Sequence, residues 1–205
     1  MPRHKQFERD EVLEKALEVF WCKGYNATSF QTLTEGMCIN RQSIYDTFGD
    51  KHTLFIEALN YYYQKRAGLI SAHFAQDKPV KELFKTFFEK TIVDTTSSEK
   101  NKGCFILNVT LEMVPEDEEA VIIVNQNIEN LASIFTKAIT RGVKSGEIVA
   151  TQPPATLAMY LVNTAQGLIT LSKTITDKKK LRAIAEVALS ALSSPARPLN
   201  PRRGL

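Results

Sequence analysis

Between Gln31 and Phe48 the chain carries two helical patterns, each about two turns long, separated only by Cys38-Ile39-Asn40. Helices that short are marginal in water and persist only by burying an apolar stripe against neighbours. Phe30, Leu33 and Met37 mark the first, and Ile44 and Phe48, one turn apart, mark the second. Leu33, Ile39, Ile44 and Phe48 then face inward, which leaves Arg41, Gln42, Ser43, Asp46 and Thr47 outside. A support helix, a tight turn and a second helix that is polar on its outer side make a helix-turn-helix. The same pattern also describes any helical corner with a solvated polar face.

The flanking sequence is helical too. Val12, Leu13, Ala16, Leu17 and Phe20 recur at i, i+3, i+4 spacing, and Gly24 offers a left-handed stop after Lys23. Thr28 and Ser29 supply hydroxyl caps for the support helix, and Asn40 caps the next. Gly49-Asp50 ends that one, and Asp50 caps a long helix from Lys51 to about Ala75 bearing Leu54, Phe55, Ala58, Leu59 and Tyr62. Leu83, Phe84, Phe87 and Phe88 follow Pro79 as an aromatic face, ending in a loop at Thr95-Thr96-Ser97-Ser98. A helix around Cys104–Met113 stops at Pro115, and a long one from about Asp117 stops at Gly146. Pro153-Pro154 opens a helix with Leu157, Tyr160, Leu161, Thr164 and Leu168, and Asp177 caps a last one with Leu181, Ile184, Ala188, Leu189 and Leu192. No alternating β pattern or internal repeat stands out, so the expected fold class is all-α. The tail from Ser193, with three prolines and two terminal arginines, reads as unstructured.

Several chemistries are unsupported. Cys22, Cys38 and Cys104 are an odd number without C-x-x-C spacing, so neither a disulfide framework nor a zinc site is indicated. His4, His52 and His73 fall in no metal-binding helical pattern, and no glycine-rich phosphate loop occurs. No metal, cofactor or catalytic residue is therefore expected, although a dispersed enzyme site remains a rival reading, as does a helical adaptor that binds only protein. No apolar run is long enough to span a membrane, and Met1-Pro2-Arg3-His4-Lys5 leads into charged sequence, so a cytoplasmic location is expected.

Charge placement bears on how DNA would be held. The net charge is +3, yet residues 1–66 hold nine Lys/Arg against nine Asp/Glu. Affinity must come from individually placed cations and not from an overall field. Arg41 and Gln42 are the expected base readers, since arginine pairs with guanine and glutamine with adenine through two hydrogen bonds, each pairing worth about 1–3 kcal/mol of discrimination. Tyr45 offers a hydroxyl to a phosphate, and Lys51 with His52 sits at a helix start whose amides attract anions.

Leu13-Glu14-Lys15-Ala16-Leu17-Glu18-Val19-Phe20, Lys23-Gly24-Tyr25, Ala27-Thr28-Ser29 and Asn40-Arg41-Gln42-Ser43-Ile44-Tyr45-Asp46-Thr47-Phe48-Gly49-Asp50-Lys51 together resemble the DNA-binding domain of TetR-family repressors over about the first 60 residues. Cys38 departs from a usual turn glycine, Asn40 from Ser or Thr, and Gln42 from a small residue. Asn caps equally well, whereas Cys38 would be strained by about 1–3 kcal/mol if left-handed. Gln42 is expected to alter the DNA sequence chosen.

The resemblance implies a three-helix DNA-binding domain over 1–66, joined by the long helix to a ligand-binding and dimerisation domain over 67–193, with a tail over 194–205. The DNA face would comprise Thr28, Ser29, Phe30, Gln31, Asn40, Arg41, Gln42, Ser43, Tyr45, Asp46, Thr47, Lys51 and His52. It further implies a homodimer on a palindromic double-stranded operator and a small-molecule effector. Leu157, Leu161, Leu168, Leu181, Ile184, Ala188 and Leu192 would form the dimer bundle, the alternative being that both faces pack within the monomer. Phe84, Phe87, Phe88, Cys104, Phe105, Asn108, Glu112, Met113 and Tyr160 would line a cavity for an aromatic or lipophilic effector, the alternative being plain core. A second reading makes Cys104 an oxidant or electrophile sensor, against a buried inert thiol.

Overall fold

A computed structural model describes residues 2–97, 102–114, 116–150 and 152–193, with side chains from residue 9. These contain nine α-helices and no strand: α1 (Pro2–Lys23), α2 (Phe30–Met37), α3 (Arg41–Phe48), α4 (Lys51–Phe74), α5 (Val80–Ser97), α6 (Phe105–Met113), α7 (Glu118–Lys144), α8 (Pro154–Leu171) and α9 (Lys178–Ser190). The all-α expectation holds, and the helix punctuation follows local chemistry. Gly24, Gly49 and Gly146 take the left-handed backbone at helix ends. Asp50 accepts the Thr53 amide at 2.7 Å to start α4, and Asp177 accepts the Lys179 amide at 2.9 Å to start α9.

One local expectation fails. Thr95-Thr96-Ser97 is not a loop but the last turn of α5. The Thr95 and Thr96 hydroxyls donate to the Thr91 and Ile92 carbonyls one turn back, so the polar groups that normally draw such residues into loops are satisfied within the helix. The expected tail over 194–205 lies outside the described residues.

The chain forms two compact units, Met1–Leu69 with Lys102–Glu129, and Ile70–Asn101 with Asn130–Leu205. The first therefore differs from the expected 1–66 domain by recruiting α6 and the start of α7. Its core shows why: Phe105, Ile106, Val109 and Met113 complete the burial of Phe20, Phe55, Ala58 and Leu59. Phe105 meets the rings of Trp21, Phe55 and Tyr62 at 6.0, 6.1 and 5.6 Å between centroids. The Trp21 indole donates to the Lys102 carbonyl at 3.2 Å. Without α6, the helices α1–α4 would leave these rings partly in water.

In the second unit α5, α8 and α9 pack together. Phe74, Phe84, Phe87 and Phe135 form a ring cluster with centroids 4.8–5.7 Å apart, and the Arg182 guanidinium on α9 holds Glu89 on α5 at 2.9 Å. Leu157, Leu161, Leu168, Leu181, Ala188 and Leu192 are all buried in this core. Six of the seven residues expected at a dimer interface thus serve the monomer, and of that set only Ile184 is exposed. A leucine stripe seeks any apolar partner, and here α5 provides it. The outward faces are instead carried by Met159, Tyr160 and Leu171 on α8 and Ile184 and Val187 on α9.

Candidate nucleic-acid interface

The reading element is built from two caps and a strained turn. The Ser29 hydroxyl accepts the Thr32 amide at 3.1 Å to begin α2, and Asn40 Oδ1 accepts the Ser43 amide at 2.8 Å to begin α3. Between them Cys38 has φ 56 and ψ 39, the one non-glycine residue with positive φ among the described residues. The conditional expectation of strain at this position is met, since a Cβ in that conformation crowds the following carbonyl. Leu33, Met37, Ile44 and Phe48 are buried, which turns the opposite side of α3 outward.

On that side Arg41, Gln42, Asp46 and Thr47 are exposed, with Ser43 and Tyr45 half-buried. The Tyr45 ring stacks on Phe30 with centroids 4.5 Å apart and planes 18° apart. Arg41 lies over both rings, at 5.2 Å from Phe30 and 5.3 Å from Tyr45, and its Nη2 donates to the Tyr45 hydroxyl at 3.1 Å. The hydroxyl bond and the two ring contacts confine the guanidinium, while its remaining N–H groups stay available for a bidentate acceptor. Gln42 Nε2 donates to Asp46 Oδ1 at 2.7 Å, which orients its amide with the carbonyl oxygen unengaged by that bond. Ser29 and Gln31 are also exposed, and Gln31 donates to Glu35 at 3.0 Å.

Three residues expected on the DNA face point elsewhere. Thr28 is buried, its hydroxyl donating to the Gly24 carbonyl. Lys51 directs Nζ to the carbonyls of Tyr25 and Thr28, both at 3.0 Å, and lies 4.1 Å from the Tyr25 ring centroid. His52 Nε2 meets Asp117 Oδ2 at 2.6 Å. Each is drawn inward because the α1–α2 turn presents carbonyls, and the start of α7 a carboxylate, that need partners. At the start of α4 the amide of Thr53 already has the Asp50 carboxylate, which sits below its ordinary value because of that amide bond. Burial pushes the Tyr25 phenol up, with Asp117 and Asp50 adding to it.

The residues expected to line an effector cavity divide between the two units. Phe84, Phe87 and Phe88 belong to the second core, and Tyr160 is 43 % exposed. Cys104, Phe105, Asn108, Glu112 and Met113 belong to the first unit. There Asn108 donates to the Lys102 carbonyl at 3.0 Å, and Glu112 accepts the amides of Tyr25 and Asn26 at 3.0 and 2.8 Å. Cys104 Sγ lies 3.7 Å from the Tyr62 hydroxyl, whose pKa is raised by burial and by Cys104. The roles of Glu112 and Asp117 have no sequence signal, because their partners are 65 or more residues away and share no periodicity with them.

The first unit carries ten Lys/Arg against fifteen Asp/Glu, and several of the cations are held in pairs. Arg9 grips both oxygens of Glu57 and covers the Phe48 ring at 4.9 Å. Lys65 pairs with Glu14 at 2.6 Å, and Lys102 pairs with Glu18. Among the described residues of this unit, Lys15, Lys23 and Arg41 are exposed cations without an ion pair.

Comparison with known proteins agrees with this architecture. Residues 12–58 match the model described as bacterial regulatory proteins, tetR family, and residues 79–187 match that of the LmrA/YxaF-like transcriptional regulator C-terminal domain. The chain is 31% identical over 193 residues to the HTH-type transcriptional regulator YezE of Bacillus subtilis (strain 168), covering 94% of this chain and 100% of that one. It is 27% identical to the HTH-type transcriptional repressor ComR of Escherichia coli (strain K12), covering 91% and 90%. Among solved structures, a cysteine mutant of the TetR family transcriptional regulator CifR complexed with 26 bp double-strand operator DNA is similar, with TM-score 0.78, 29% identity and coverage of 89% and 96%.

Proposed function

Because this chain belongs to the TetR family of transcriptional regulators, we propose that it is a dimeric repressor that holds a palindromic operator and releases it when a small lipophilic or aromatic effector binds. The observation that carries the reading is the outer face of α3, where an arginine oriented by two rings stands beside an oriented glutamine amide. Arg41 takes guanine O6 and N7, Gln42 takes an adenine edge, and Ser29, Gln31, Tyr45 and Thr47 contact the backbone and fix register. Asp46 orients Gln42 and disfavours a phosphate at that spot.

Two reading helices one DNA turn apart require a symmetric dimer. The exposed apolar residues Met159, Tyr160, Leu171, Ile184 and Val187 of α8 and α9 support a bundle with a second copy. The described helices include none long and apolar enough to cross a membrane, and a DNA partner supports a cytoplasmic location. The effector class follows from the ring-rich second core, where Phe74, Phe84, Phe87 and Phe135 offer aromatic edges and faces. Effector binding shifts the balance between a DNA-competent arrangement and one that misses one half-site, a coupling typically of about 1–3 kcal/mol.

A gel shift with the region upstream of the protein's own gene tests the reading. A salt-sensitive band competed by the same sequence and not by unrelated duplex is expected. Its absence over a concentration range that saturates known relatives sinks the proposal.

A further inference from the structure

The turn between α1 and α2 is seated by charged groups from outside α1–α3, Glu112 of α6 and Lys51 of α4. From one side Glu112 of α6 accepts the amides of Tyr25 at 3.0 Å and Asn26 at 2.8 Å. From its carbonyl side Lys51 donates to Tyr25 and Thr28, both at 3.0 Å. The carboxylate lies close over Gly24, which has φ +80: a Cβ there would be strained and would lie 2.7 and 2.9 Å from the two oxygens, so the carboxylate would have to give way. The seated turn runs directly into Ser29, the cap of α2, and Thr28 fastens it to Gly24 through its hydroxyl. Where Tyr25–Thr28 sit therefore sets where α2 starts and, through the short Cys38 turn, where Arg41 and Gln42 stand. A second carboxylate of the same α6–α7 corner, Asp117, holds His52 at 2.6 Å while its other oxygen accepts the Ala120 amide at 2.9 Å.

We infer that Glu112 is a positioning residue for base reading, an inference that rests on the DNA-reading function proposed above. Its carboxylate sets the seat of the α1–α2 turn and thereby the reach of α3, without itself touching DNA. A carboxylate with two amides is a charge-assisted, two-point contact that fixes direction as well as distance. By reciprocity, if the joint controls the reading helix, specific DNA on that helix must be felt at the Tyr25 and Asn26 amides.

The experiment compares wild type, Glu112→Ala and Glu112→Gln on two duplexes of equal length, one selected from a random library by the wild type and one unrelated. Amide exchange at Tyr25 and Asn26 is followed with and without the selected duplex. Emission of Trp21, whose indole is bonded to Lys102, reports whether α1 and the 102–113 segment remain docked. Glu112→Ala is expected to weaken the selected duplex about tenfold, with the unrelated duplex changed less than about twofold. Glu112→Gln, which keeps one acceptor oxygen, falls between. In the wild type the selected duplex slows exchange at both amides. No loss on either duplex, or equal loss on both, overturns the inference, as does unchanged amide exchange on binding. If Trp21 emission shows that Glu112→Ala is undocked, Glu112→Gln decides by the same duplex ratio. A wild type that selects no duplex is a different failure and removes the DNA-reading function itself.

Discussion

Cys38 occupies a backbone conformation that glycine would take at no steric cost, and its thiol makes one long contact, 3.7 Å to the Glu35 carbonyl. Cys38→Gly should stabilise the protein by about 0.5–1 kcal/mol, the relief of left-handed strain less the extra freedom glycine gives the unfolded chain. A higher denaturant midpoint at unchanged slope is the expected reading. Arg41→Ala should relax specificity at one base position, and Phe30→Leu, which removes one of the two rings beside the guanidinium, should relax the same position more mildly. Binding to a library of operator variants measures both, and uniform loss across the library would reassign Arg41 to phosphate. Lys51→Met should act differently, costing about 1–3 kcal/mol of stability by leaving carbonyls of the turn without their ammonium. Thermal melting of the free protein shows this before any DNA is added. Arg41 and Gln42 were legible as outward residues because side-chain direction on α3 follows from the spacing of Ile44 and Phe48. The inward turn of Lys51 and Thr28 was not, because carbonyls of a loop leave no trace in sequence.

At the scale of elements, punctuation was the most legible feature. Asn40→Ala should cost about 1 kcal/mol, the usual worth of a cap, and should fray α3 first, which amide exchange at Ser43 and Ile44 would show. The α6–α7 corner should be acid-sensitive. Burial pushes the Asp117 carboxyl up, but the Ala120 amide and His52 outweigh it and hold it below its ordinary 3.8. A lowered folded value means that the contribution is fully present above the unfolded value and lost as pH falls through the folded one. The melting temperature of the wild type should therefore drop more steeply below about pH 4 than that of Asp117→Asn. The stripes of α8 and α9 teach the converse lesson. Leu161, Leu168 and Leu181 were identifiable as buried, yet a buried stripe reads the same whether it faces a neighbouring helix or a second copy. Val187, 69 % exposed on α9, is the better probe. If the proposed dimer forms through this face, Val187→Glu should shift it toward monomer in sedimentation without lowering helix content.

Across the whole molecule charge is unevenly shared. The unit that bears α3 has an excess of five negative charges, whereas the other has sixteen Lys/Arg against eight Asp/Glu. A near-zero balance over residues 1–66 was visible beforehand, but the acidic stretch Glu116-Asp117-Glu118-Glu119 joins this unit only through folding. With Lys15, Lys23 and Arg41 as the exposed unpaired cations of its described residues, a dimer would neutralise on the order of six phosphates, giving a slope of about −5 in log affinity against log salt. A slope near −9 would mean about ten phosphates, and so cations beyond these three in each chain.

The first unit is also discontinuous, and this bears on how the protein is made. Residues up to Leu69 leave the ribosome well before Phe105, Ile106, Val109 and Met113, the side chains that cover Trp21, Phe55 and Tyr62. At synthesis rates of roughly 5–20 residues per second, the nascent reading helices wait for seconds with an open apolar flank. During that interval they are candidates for a chaperone or for mispairing with another nascent chain, and the unit that carries them closes only after Met113 has emerged.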